Sequence, residues 1–117
     1  MHMLKKKETE KENYLDYIPR KSLKIQWQQQ EDELVRLIVP RDSLVDRIVR
    51  KIFFTPEAFK IDLDKLGSFI WKQIDGKKTI YEIGQLLKEE FKEEAEPLYE
   101  RLIQYMNILK NNKFIEF

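Results

Sequence analysis

Leu63-Asp64-Lys65-Leu66-Gly67-Ser68-Phe69-Ile70-Trp71-Lys72-Gln73-Ile74-Asp75-Gly76 is the stretch on which the fold turns. Leu66, Ile70 and Ile74 recur at the i, i+4 spacing that puts side chains on one buried helical face. Asp75-Gly76 stops that helix, because glycine adopts the left-handed conformation of a helix end at no steric cost. Thr79-Ile80-Tyr81-Glu82 then starts another. A threonine followed three residues later by glutamate is a capping box, in which each side chain bonds the other residue's backbone N–H. The sequence therefore predicts helix, turn, helix, over about 64–74 and 80–91.

Downstream, Ile83, Leu86, Leu87 and Phe91 form the apolar stripe of the second helix. A third helix is expected over about 95–111, with Pro97 and glutamates in its first turn and Lys110 in its last, each suited to the helix dipole. Leu98, Leu102, Tyr105, Met106 and Leu109 are its core stripe, and Phe114-Ile115-Glu116-Phe117 alternates like a short strand. Gly67 and Gly84, inside helices, read as points of close helix packing.

Upstream, Phe59, Ile61 and Leu63 alternate with Lys60, Asp62 and Asp64, which predicts a strand. Leu23, Ile25 and Trp27 alternate with polar residues, and Leu34 to Val39 is rich in β-branched residues and ends at Pro40. With the polar break Gln30–Glu33 between them, these two runs make a β-hairpin. Over 43–53 the spacing of Leu44, Ile48 and Ile52, with Ser43 and Asp46 as a capping pair, favours a helix, whereas the β-branched content favours a strand. Residues 1–13 are nearly all charged beyond Met3-Leu4 and read as a disordered tail, leaving 14–117 as one domain. The expected class is α+β: a β-hairpin and a third strand followed by three helices.

Composition removes most catalytic chemistry. The 117-residue chain has no cysteine, and its one histidine is His2, so disulfides, thiolate metal sites, cysteine nucleophiles and a Ser-His-Asp triad all fall away. No cofactor or metal is expected. The 22 basic and 21 acidic side chains nearly cancel, giving a net charge of +1 and no general attraction to nucleic acid or an anionic membrane. No apolar run approaches the roughly 20 residues of a membrane-spanning helix, and a cytoplasmic protein is expected. Glu89, Glu90, Glu93, Glu94 and Glu96 match no calcium-loop spacing and read as a solvated acidic face.

Leu63-Asp64-x-x-Gly67-x-x-Ile70-Trp71-x-x-Ile74-Asp75-Gly76, then Thr79-x-x-Glu82-Ile83 and Leu86-Leu87 through Phe91, resemble the pyrroloquinoline quinone biosynthesis protein D family. The resemblance covers the helical half best, and the segment at 43–53 looks like an insertion. It implies a winged helix-turn-helix-like fold and a non-catalytic peptide-binding chaperone. Such a protein holds the leader of a ribosomally made precursor peptide and presents its core to a modifying enzyme, often a radical S-adenosylmethionine enzyme. It further implies that the leader adds as a strand beside the third strand, against the third helix. On this chain that points to Phe59, Lys60, Ile61 and Asp62 on the strand and to Arg101, Leu102 and Tyr105 on the helix. Strand addition needs no catalytic residue, only an edge with unpaired backbone groups.

Duller readings compete at several positions. Trp71 reads as a packing residue before a ligand platform, Tyr105 as partly core, and Arg101 as solvated or paired with a neighbouring glutamate. The alternative function is a winged-helix DNA-binding regulator, since fold does not fix function. Glu94, Glu96 and Glu100 at the start of the third helix argue against it, because they would repel phosphates.

Overall fold

The computed structural model describes residues 14–40 and 58–117, so the expectations for the 1–13 tail and for helix or strand at 43–53 lie outside the described residues. The elements are β1 (Arg20–Lys21), β2 (Gln26–Gln29), β3 (Val35–Pro40), β4 (Ala58–Asp62), α1 (Lys65–Gln73), α2 (Ile80–Phe91), a 3-10 turn (Lys92–Ala95), α3 (Leu98–Asn111) and β5 (Ile115–Glu116). This is the expected α+β order of an antiparallel three-stranded sheet followed by three helices. Two compact units make it up. One is Leu23–Ser68, and the other joins residues 14–22 to Phe69–Phe117.

In the first unit the sheet order is β2-β3-β4. The register aligns Trp27, Leu37 and Ile61 across the three strands, and likewise Gln28, Arg36 and Asp62. Residues directly opposite share a face, so Trp27, Gln29, Val35, Leu37 and Ile61 lie on one side and Gln26, Gln28, Arg36, Ile38, Lys60 and Asp62 on the other. Val35 and Leu37 are buried at 1% and 0% exposure. The hairpin closes through Gln30 N–H to the Leu34 carbonyl (2.7 Å) and Glu33 N–H to the Gln30 carbonyl (3.0 Å), with Glu33 left-handed at φ 67°. A three-residue hairpin loop ending in a left-handed residue is a common solution to this connection.

The first strand is shorter and later than the alternation predicts. Leu23 lies in a turn with its side chain fully exposed, and the strand starts at Gln26. The cause is Pro40. Continuing the register would set residue 24 opposite residue 40 as a hydrogen-bonded pair, and proline has no N–H to give.

Ser68 joins the start of β3 to the end of the β4 segment. Its Oγ accepts the Val35 N–H at 2.8 Å and donates to the Leu63 carbonyl at 3.2 Å, while Leu63 N–H reaches the Val35 carbonyl at 2.9 Å. Asp64 caps α1, its Oδ1 accepting the Gly67 N–H at 2.7 Å.

The second unit carries the longer apolar list: Ile70, Trp71, Ile74, Ile80, Ile83, Leu87, Leu98, Leu102, Met106 and Leu109 are all buried. The predicted helix punctuation is present. Gly76 sits at φ 75°, and Asp75 Oδ1 accepts the N–H groups of Lys77 and Lys78, both at 2.9 Å. The hydrogen bond from the Lys78 ammonium, with those two backbone bonds, holds the Asp75 carboxyl well below the usual carboxylate range. Thr79 and Glu82 form both halves of the capping box. Gly84 is a close-packing point, since a Cβ there would lie 2.7 Å from the Tyr99 ring. That ring is held by Gln85 and by stacking on Tyr81 with centroids 6.1 Å apart.

The third helix starts later than predicted, at Leu98, because Pro97 is its N-cap and Lys92–Ala95 forms a separate 3-10 turn. It ends in a Schellman motif: Phe114 N–H bonds the Leu109 carbonyl, Lys113 N–H bonds the Lys110 carbonyl, and Lys113 is left-handed at φ 61°. The terminal alternation does form a strand. Its partner is β1, which the sequence reading did not foresee, with Arg20 opposite Glu116 and Lys21 opposite Ile115. Tyr14, Tyr17 and Phe117 cluster beside this ladder with ring centroids 5.2–5.9 Å apart. Tyr14 donates its hydroxyl to Asn107 Oδ1 at 2.7 Å, and burial pushes its pKa up to about 12.

Candidate functional site

Two bonds fix which backbone groups each strand turns outward. Gln30–Leu34 is a hydrogen-bonded pair on the β2 side of β3, and Leu63–Val35 is one on the β4 side. Because the pattern alternates, Phe59, Ile61 and Leu63 turn their N–H and C=O toward β3. Ala58, Lys60 and Asp62 turn theirs away. Among the described residues β4 has no other strand neighbour, so these three positions form an open row of donors and acceptors.

The side chains along that row are mainly charged. Asp62 is exposed and held in a bidentate pair with Arg36, Oδ1 to Nε at 2.6 Å and Oδ2 to Nη2 at 3.2 Å. The hydrogen bond from Arg36 holds the Asp62 carboxyl below its ordinary value and raises the guanidinium above its own. Lys60 is exposed on the same face, close enough to lower Asp62 further. Among the described residues no carboxylate comes within ion-pairing distance of the Lys60 ammonium. Ile61, on the opposite face, is 36% exposed. Phe59 enters through its backbone, opposite Val39.

The predicted helix residues all lie on α3, in the second unit. Arg101 is half-buried, with one guanidinium nitrogen donating to the Glu94 carbonyl at 2.6 Å, so it braces the 3-10 turn. Leu102 is buried at 0% exposure and belongs to the helical core. Tyr105 is half-buried. Trp71 is fully buried, with the Lys21 ammonium 5.4 Å from its ring centroid, which is the packing role expected of it.

The helical unit also contains a groove that the sequence reading missed, of about 640 Å³. Leu15, Tyr99, Ile103 and Ile108 supply its apolar lining, and Glu100, Gln104, Asn107 and Asn111 its polar side. The residues on α3 repeat at helical spacing, which marks one face. Leu15, which completes the wall, comes from a distant part of the chain, and no local pattern announces that meeting.

Among the described residues no group of three or more His, Asp or Glu could hold a metal ion. Nor is any helix among them long and apolar enough to cross a membrane. What the candidate residues present is an edge of outward-facing backbone N–H and C=O groups, flanked by one cation and one aliphatic side chain.

No curated protein and no solved structure matches the chain. The profile of Coenzyme PQQ synthesis protein D (PqqD) matches residues 54–115, more than half of the sequence, from just ahead of β4 to β5. The chain therefore belongs to the PqqD family, whose members are non-catalytic chaperones that bind a ribosomally made precursor peptide and partner a modifying enzyme.

Proposed function

We propose that this protein holds the leader of a precursor peptide as an added strand on β4 and so presents the peptide's core to a modifying enzyme of the radical S-adenosylmethionine type. The observation that supports this most directly is the outward row of backbone groups at Ala58, Lys60 and Asp62. An extended peptide completes such a row with main-chain hydrogen bonds, and side chains on alternate faces then set its specificity. Arg101, Leu102 and Tyr105 enter this reading through the family resemblance alone.

A titration of isotope-labelled protein with the leader of a precursor peptide encoded nearby tests it. Saturable binding is expected, with the largest amide shifts at Lys60 and Asp62. Absence of saturable binding, or shifts that leave residues 58–63 untouched, would refute it.

A further inference from the structure

We infer that the strand completing the β4 edge is an acidic one: a peptide with carboxylates at alternate positions, read by Lys60, and with apolar side chains between them, facing the Ile61 side. This rests on the strand-addition reading and adds the chemical class of the ligand.

The three strands contain only three charged residues, Arg36, Lys60 and Asp62, and the register puts all three on one face. Two of them satisfy each other. Both carboxylate oxygens of Asp62 are taken by the Arg36 guanidinium, a fork geometry that occupies the acid as well as balancing it. The rest of that face is Gln26, Gln28 and Ile38, all uncharged. Lys60 is what remains: an exposed cation with no ion-pair partner among the described residues, on the strand with the open edge.

Edge geometry makes this cation selective. Lys60 turns its own N–H and C=O outward, so an antiparallel strand that bonds to it sets one residue directly opposite, with its side chain on the Lys60 face. The next residues on that face are two positions away in either direction, within reach of a lysine side chain. A carboxylate opposite Lys60 or opposite Ala58 is within reach of that cation, the position opposite Asp62 faces an acid that Arg36 already engages, and a lysine or arginine opposite Lys60 meets repulsion. The intervening residues fall on the other face, where Ile61 is partly exposed and Leu37, its cross-strand neighbour, is buried. Apolar side chains gain most there. The ligand pattern is therefore acidic, apolar, acidic.

Three short end-capped peptides of alternating pattern, Glu/Val, Gln/Val and Lys/Val, are titrated into the full chain and into its Lys60→Glu and Lys60→Gln variants. Amide shifts and affinities are both recorded. For the wild-type protein the Glu/Val peptide is expected to bind roughly 5–10-fold more tightly than Gln/Val, with Lys/Val weakest, as a few cross-strand charge contacts would give. The preference disappears in Lys60→Gln, reverses in Lys60→Glu and shrinks with added salt. If all three peptides shift the Lys60 and Asp62 amides with equal affinity, the charge inference is wrong and strand addition stands. If none shifts those amides, both fall. A preference for Glu/Val that survives in Lys60→Glu also overturns the inference, because it places the selecting cation elsewhere. Lys60 is exposed, so unchanged thermal midpoints are expected for its variants.

Discussion

Replacing Ser68 with alanine removes a single oxygen that serves two buried backbone groups. Ser68 is 2% exposed, and its hydroxyl is the partner of the Val35 N–H and a donor to the Leu63 carbonyl. A buried group stripped of its partner costs about 1–3 kcal/mol, and an N–H, with one bond to make, suffers more than a carbonyl with two lone pairs. Alanine returns about 0.5 kcal/mol through its better helix propensity. The net loss expected is about 1.5–3 kcal/mol, a fall in thermal midpoint of roughly 5–15 °C for a chain of this size. Urea unfolding measures the loss, and an unchanged m-value would show that the unfolded state is not its source. Hydrogen exchange at the Val35 amide gives a local reading and should quicken more than at the neighbouring amides of β3. A loss below about 0.5 kcal/mol, the scale of an ordinary surface change, would refute the reasoning. So would unchanged protection at Val35.

Lys113→Gly should stabilise the protein by about 0.5–1 kcal/mol, since it relieves a left-handed residue in the Schellman motif at a modest entropic cost; a neutral or destabilising result in thermal unfolding would contradict this. Gly84→Ala should destabilise by about 1–2 kcal/mol, because the new methyl meets a Tyr99 ring that is held on two sides, and the loss should shrink when Tyr99 is also replaced by leucine. Tyr14 gives a pH signature. With its folded pKa raised to about 12 from 10.0, its contribution is complete below pH 10 and is lost as pH rises through 12. Tyr14→Phe should therefore flatten the alkaline fall of the thermal midpoint, and identical profiles for the two proteins would remove burial of this hydroxyl as the cause.

Where one segment decides its own conformation, the sequence was a sound guide. The Asp75-Gly76 stop, the Thr79–Glu82 box and the stripes of the three helices depend on neighbours within a turn or two; the structure has the stop and the box, and it buries the stripes except at Leu86, Phe91 and Tyr105, which are half-buried. Reading failed where a distant residue intervened. Leu23 and Ile25 carry a strand's alternation, yet Pro40, across the hairpin, ends the ladder before reaching them. Arg20–Lys21 has no pattern of its own and becomes a strand only because Ile115–Glu116 pairs with it. Ser68 in isolation is an unremarkable helical serine, and its role needs Val35 beside it. The candidate edge was legible as an alternating segment. That its three charges share one face, and that two of them cancel, required the register of all three strands.

The β1–β5 ladder bears on how this chain folds. It joins residues on either side of the whole Leu23–Ser68 unit, so the helical unit is discontinuous in sequence. Such a contact carries a high loop-closure cost and does little to speed early folding. The sheet unit has no such debt, because its strands and the Ser68 bonds connect residues within a single continuous segment. During synthesis the β4 edge can thus be assembled while the helices that follow it are still unmade. An unpaired strand edge would then be presented before the rest of the protein has formed, and the charged side chains along it are the protection it carries at that stage.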